Sequence, residues 1–166
     1  LKIRHIAKLG VVACLAFAGV TLGTTTASAE VWGGGCRAYV MEPGDVEMDS
    51  CGYAADTSNS WNSTRIYPDV TTVEHQWNPG DPDQVDPCAQ LMRVNPDSSL
   101  TQVHDFLCGG WVGPGQGGPS QNEWKGTDRA WSAPAGGTYV VQSGYWATVN
   151  GHYGYYGNVQ SPRIYT

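Results

Sequence analysis

The chain has 166 residues, 40% of them hydrophobic and only 14% charged, with fifteen acidic residues against nine basic ones and a formal net charge of −6. No cluster of Lys and Arg occurs, which excludes nucleic acid as a partner, because sequence-independent affinity for it rests on phosphate neutralisation by basic side chains. The length suits one ordinary domain with a real core behind a leader, and no second domain is needed.

Residues 1–29 read as a Sec signal peptide. Lys2, Arg4 and Lys8 make a basic start, residues 9–20 ("LGVVACLAFAGV") are almost wholly apolar, and Ala27-Ser28-Ala29 supplies the small residues that a signal peptidase requires. The apolar run is too short for a comfortable membrane span, so a secreted, extracellular protein without membrane attachment is expected. All fifteen acids follow residue 29, whereas three of the basic residues precede it. The mature chain is therefore more acidic than the whole, a balance that serves solubility outside the cell or a cation-binding surface.

Residues 30–35 follow as an apolar arm: Val31 and Trp32, then Gly33, Gly34 and Gly35. Three glycines cost much entropy to order, so one reading is a flexible arm tethered at Cys36 that adds a strand to a partner, with Trp32 as anchor. The other is that Trp32 covers its own domain and the glycines form a bulge or turn.

From 36 to 166 the chain reads as a single β-sandwich domain. Gly and Pro are scattered evenly, and the runs between them are short and rich in Val, Thr, Tyr and Trp. Expected strands are 37–41, 61–67, 70–77, 89–94, 138–143, 145–149, 152–156 and 159–165. Cys14 leaves with the leader, and the even set Cys36, Cys51, Cys88 and Cys108 predicts two disulfides in an oxidising compartment, paired in sequence order because each pair flanks an extended segment and a turn-rich return. No CxxC or paired His spacing points to zinc.

The Pro-rich stretch at 78–88 carries Asp81, Asp83 and Asp86, a candidate calcium loop without the EF-hand pattern or, alternatively, a solvated Asp-Pro turn. "DSSLTQVHDFLCGG" admits a short helix capped by Ser98 or Ser99, with Leu100, Val103 and Leu107 on one face. Residues 109–126 read as a long flexible surface loop. In "YWATVNGHYGYYG", Asn150-Gly151 predicts a type I′ hairpin pairing Val149 with His152 and Trp146 with Tyr155. That register gathers Trp146, Tyr153 and Tyr155 on one face, and Tyr145, Ala147, Val149 and Tyr156 on the other. Short strands and frequent turns predict an all-β, disulfide-braced sandwich, immunoglobulin-like or related, over a barrel.

Nothing in the sequence marks an enzyme. No GxSxG or HExxH occurs, and His75, His104 and His152 read as structural or surface residues; His104 and Asp105, as neighbours on a strand, point to opposite faces. No catalytic residue, metal ligand or cofactor is expected. Seven Trp and nine Tyr stand against two Phe, of which Phe17 lies in the leader. That bias toward aromatics with a polar tip suits a wet binding surface, and Trp146, Tyr153 and Tyr155 form its candidate ligand face.

The leader, "EVWGGGC" and the small disulfide-braced β domain together resemble, in overall organisation, the adaptor subunits of actinobacterial umbrella toxin particles. Those adaptors link a lectin-like, trypsin-related subunit to the repeat-bearing spokes of a large toxin protein. The resemblance implies a non-catalytic protein–protein adaptor that docks through the arm, Val31 and Trp32, with those two secreted proteins as partners; Gly33 and Gly34, as part of the same arm, are the other expected partner-binding residues. Two other readings stand beside it: a carbohydrate- or cell-wall-binding module, and an inhibitor of an extracellular hydrolase.

Overall fold

The computed structural model describes residues 32–55, 65–113, 120–134 and 136–166. The leader, Val31 and the expected strand start at Trp61 lie outside them. The described chain is all-β apart from one 3-10 turn, Thr127–Arg129. Its strands are β1 (Trp32–Gly33), β2 (Gly35–Glu42), β3 (Val46–Ala55), β4 (Arg65–Glu74), β5 (Val85–Val94), β6 (Leu100–Cys108), β7 (Ser120–Lys125), β8 (Trp131–Ser132), β9 (Thr138–Val149), β10 (His152–Gln160) and β11 (Ile164–Tyr165).

They form two antiparallel sheets. In sheet A, β6, β5 and β9 lie side by side; β10 and β11 pair successive parts of the free edge of β9, and β1 pairs β11. In sheet B the order is β2, β3, β4, with β7 and β8 sharing the far edge of β4. Two sheet-to-sheet crossings interlock: β4 runs into β5, β8 runs into β9, β4 pairs β7 and β8, and β5 pairs β9. The B–C and E–F strands of an immunoglobulin domain interlock in the same manner, but there the disulfide joins the two sheets. Here each disulfide stays within one sheet. Cys36 lies opposite Cys51, and Cys88 opposite Cys108, each pair with its Cα atoms 3.9 Å apart. Sequential pairing is therefore the direct result of two hairpin-like ladders, and two such bonds fit an oxidising compartment.

The core lies between the sheets. Val46, Met48, Ile66 and Val70 of sheet B face Leu91, Phe106, Val141, Tyr145 and Ala147 of sheet A, all fully buried. A polar link crosses this core, with Ser50 Oγ and Ser143 Oγ 2.8 Å apart. The glycine segment is a corner between sheets. Trp32 pairs with Tyr165 and Gly33 with Ile164, the Gly34 amide donates to the Arg163 carbonyl at 2.8 Å, and β2 then joins sheet B. Gly33, Gly34 and Gly35 have φ of +81°, +80° and +102°. A Cβ on Gly34 would collide with the Gly52 carbonyl oxygen, so glycine here permits close backbone packing as well as freedom.

Several expected elements differ. The stretch that admitted a helix is strand β6, and its helix-like apolar spacing has a cause. The register against β5 skips Phe106 and Val103, so two bulges insert extra residues and turn a period of two into spacings of three. The expected loop at 109–126 contains β7, whose polar residues alternate: Asn122 points inward to donate to Glu74 at 2.9 Å and Trp124 packs on the core, while Gln121 and Glu123 are exposed. The two strands expected on either side of Pro68 are the single β4. Pro68 is tolerated mid-strand because its carbonyl and absent N–H face the gap between β7 and β8, where only the Gly126 amide binds it, at 3.0 Å. Likewise, residues 138–143 and 145–149 form one strand, β9. Strand β3 escaped notice because its inner positions after Met48 are Ser50 and Gly52, small residues that carry no apolar alternation.

Candidate functional site

The site grows from the β9–β10 hairpin. Asn150 and Gly151 take φ of +50° and +77°, the left-handed pair of a type I′ turn, and the ladder runs in the expected register from Val149–His152 to Tyr145–Tyr156. Strand alternation then divides the residues. Tyr145, Ala147 and Val149 are buried in the core, whereas Trp146, Tyr153 and Tyr155 stand on the outer face of sheet A.

These rings touch. Trp146 stacks on Tyr153 with centroids 5.4 Å apart and meets Tyr155 edge-on at 5.5 Å. Trp111 completes the row beyond Tyr153, at 6.3 Å. All four are solvent-exposed: Tyr153 by 64%, Trp111 by 49%, and Trp146 and Tyr155 by 37% each. The cross-strand ring contacts stabilise the hairpin by about 0.5–1.5 kcal/mol per pair, yet they leave all four rings facing water.

Trp111 is held by the chain that follows Cys108. Val112 exchanges two backbone hydrogen bonds with Val85, at 2.7 and 2.8 Å, and the Gly110 amide donates to the Asp86 carboxylate at 2.8 Å. Asp86 itself lies opposite Trp146 in the β5–β9 ladder. The sequence signal for Trp111 was present but indirect. Once Cys88 pairs with Cys108, residues just after 108 must run back along those just before 88, which brings Trp111 beside the hairpin.

Tyr155 is anchored differently. A Cβ on Gly144 would lie 2.5 Å from the Tyr155 hydroxyl, so the phenol tip rests on bare backbone that only glycine leaves open. Burial of that tip, helped by the Asp105 carboxylate, pushes the phenol up to about 12. The hydroxyl therefore stays neutral over the physiological range. Beside the rings, Asp105 lies opposite Gln90 and Gln90 opposite Gln142, whose amide donates to Asn158 at 2.6 Å. An apolar row of rings thus borders a row of amides and carboxylates.

The other sequence-derived residues lie elsewhere. Trp32, Gly33 and Gly34 form the sheet A corner described above. His75 stacks on Trp77 at 4.0 Å with Nε2 3.5 Å from Glu47, His104 packs against Phe106 and Trp131, and His152 is exposed beside the hairpin turn. The Asp81 carboxylate accepts the Asn78 amide at 2.7 Å, and Asp86 accepts that of Gly110. Asp81, Asp83 and Asp86 do not gather into a ligand cluster; among the described residues such clusters contain only disulfide cysteines with Asp49 or Asp86. No family model matches the chain, and no curated protein matches it.

Proposed function

We propose that this is a secreted, non-catalytic binding protein whose ligand face is Trp111, Trp146, Tyr153 and Tyr155, and whose ligand is a polysaccharide. The observation that carries this reading is the contiguous exposure of four polar-tipped aromatic rings on one sheet face of a disulfide-braced sandwich. The apolar C–H faces of pyranose rings pack on such indole and phenol rings, and the adjoining Gln90, Gln142, Asn158 and Asp105 offer partners for sugar hydroxyls. Disulfides and the export-type leader support an extracellular setting.

The test is binding of the mature protein to a panel of purified insoluble polysaccharides. At least one should retain it, and the double variant Trp146→Ala, Tyr153→Ala should bind about tenfold more weakly or worse while staying folded. Retention by none, or equal binding by the double variant, would sink the reading.

A second reading, the adaptor, draws support from β1. It stands at one end of sheet A, and among the described strands only β11 pairs with it, so its other edge is the kind of backbone to which a partner adds a strand. Affinity purification from culture supernatant, with intact protein and with a form lacking residues 31–35, distinguishes it. Loss of a co-purifying large secreted protein on deletion supports the adaptor; both forms emerging alone removes it.

A further inference from the structure

The aromatic row ends in a cavity. At the tip of the β9–β10 hairpin a hollow of about 710 Å³ opens between the loop at 78–84 and the end of the row, walled by Trp111 and Thr148 on one side and by Asp81, Asp83 and Gln84 on the other. Its volume lies in the range of small-molecule sites. The loop is tied to the hairpin turn and to itself at Gly80 and Asp81. The Asn150 amide donates to the Gly80 carbonyl at 2.8 Å, the Asn78 amide to the Asp81 carboxylate at 2.7 Å, and the Asp81 amide back to the Asn78 carbonyl at 3.2 Å. Gly80, at φ +108°, lies so close to the Asn150 side chain that a Cβ would collide with it.

Resting on the polysaccharide reading, we propose that this cavity is a pyranose subsite at one end of the platform, selective for a sugar unit bearing an ammonium group over the same unit bearing a hydroxyl. Trp111 continues the stacking surface to the cavity wall, so a chain lying along Tyr153 and Trp146 delivers its next unit there. Two carboxylates and an amide then face that unit, and among the described residues neither Lys, Arg nor His lines the hollow. Asp81 spends one oxygen on Asn78, and Asp83 is exposed. Carboxylates accept hydrogen bonds from hydroxyls, gain more from an ammonium, and repel uronate, sulfate or phosphate substituents. The whole chain's excess of acids adds to that repulsion.

Three pentamers that share a β-1,4-linked glucan backbone test this: cellopentaose with a hydroxyl at C2, chitopentaose with an acetamide, and the glucosamine pentamer with an ammonium. Calorimetric titration of the mature protein at mildly acidic pH should show the glucosamine pentamer binding about fivefold tighter than cellopentaose, a preference that added salt reduces. Asp83→Asn should abolish the preference for the glucosamine pentamer over cellopentaose, whereas Trp111→Ala should weaken binding of both. Asp81→Asn is the companion variant, with thermal melting as its check of folding. Glu123→Gln, on the opposite sheet, should keep the preference; an equal loss there would mean general charge attraction and overturn the subsite. Equal affinity for the three pentamers overturns the subsite and leaves the polysaccharide reading standing. Binding of none of the three overturns the subsite, and if no insoluble polysaccharide retains the protein either, the polysaccharide reading fails with it.

Discussion

The outer faces of the two sheets are built on one device and end in opposite chemistry. Each carries a cross-strand disulfide with an aspartate two residues before a cysteine, Asp49-Ser50-Cys51 in sheet B and Asp86-Pro87-Cys88 in sheet A. Each aspartate accepts a backbone amide at 2.8 Å, from Thr71 and Gly110 respectively. In sheet B, however, the face around the disulfide is acidic: Glu47, Asp49, Asp69 and Glu123 share it with Lys125, which sits 3.0 Å from Glu123 and 3.7 Å from Asp69. Its tyrosines make polar contacts on that face, as Tyr39, itself 45% exposed, accepts from Gln121 at 3.2 Å and the Tyr53 hydroxyl lies 2.9 Å from Cys36 Sγ. In sheet A the rings contact one another and stay open to water. The same scaffold element therefore braces both faces, and what differs is the surroundings of the rings: carboxylates and a lysine in sheet B, a contiguous row of further rings in sheet A.

Removing the disulfides should break this symmetry most visibly. They span 15 and 20 residues, and in the chain-entropy model each contributes about 3 kcal/mol, so Cys36→Ala with Cys51→Ala, and Cys88→Ala with Cys108→Ala, should each lower the melting temperature by about 10 °C. Polysaccharide binding should suffer only in the second pair, because Cys88 lies opposite Gly144 and Cys108 leads directly into Trp111. Equal loss of binding in both variants would mean that the braces act globally and that the two faces are not independent.

A smaller effect is expected at Gly144. Alanine there would press its Cβ onto the Tyr155 hydroxyl and onto the Tyr156 carbonyl oxygen, 2.6 Å away, which should cost about 1–3 kcal/mol and lift the phenol from its resting place. Ultraviolet titration should then find the Tyr155 phenol falling from about 12 toward the ordinary tyrosine value, since burial is the main cause of its elevation. An unchanged titration would show that the phenol tip is held by something other than the bare backbone.

How legible each face was in the sequence follows the same division. The hairpin register could be read residue by residue because Asn150-Gly151 fixes it locally and alternation does the rest. Trp111 could be read only indirectly, since its place depends on a disulfide and on a backbone bridge to Val85, contacts between residues far apart in the chain. The sheet B face was harder still. Its strands β3 and β7 use Ser50, Gly52 and Asn122 on the inner side, so the apolar period that announces a strand is missing. At the edge of sheet A, the bulges at Val103 and Phe106 in β6 even imitate a helix. Local turn chemistry was readable; positions set by cross-sheet packing were not.

The subtlest difference between the faces is electrostatic, and Asp69 exposes it. The residue is 6% exposed, its Oδ1 finds no hydrogen-bond donor among the described residues, and burial, reinforced by the charge of Glu123, raises its carboxyl above the ordinary aspartate value despite Lys125. Asp49 is raised as well, again chiefly by burial. A carboxyl that holds its proton more tightly folded than unfolded makes the native state bind more protons in the window between the two values. Stability contributed by these groups therefore grows as pH falls through the raised native value and levels off below the unfolded one, the reverse of a salt-bridged aspartate. Asp69→Asn removes the ionised form, so it should raise the melting temperature at neutral pH by about 1 °C, with the gain shrinking as the medium is acidified into that window. Binding at the sheet A face should not change. A fall in stability at neutral pH would instead make the weak Lys125 contact, rather than the burial of charge, the dominant influence at this position.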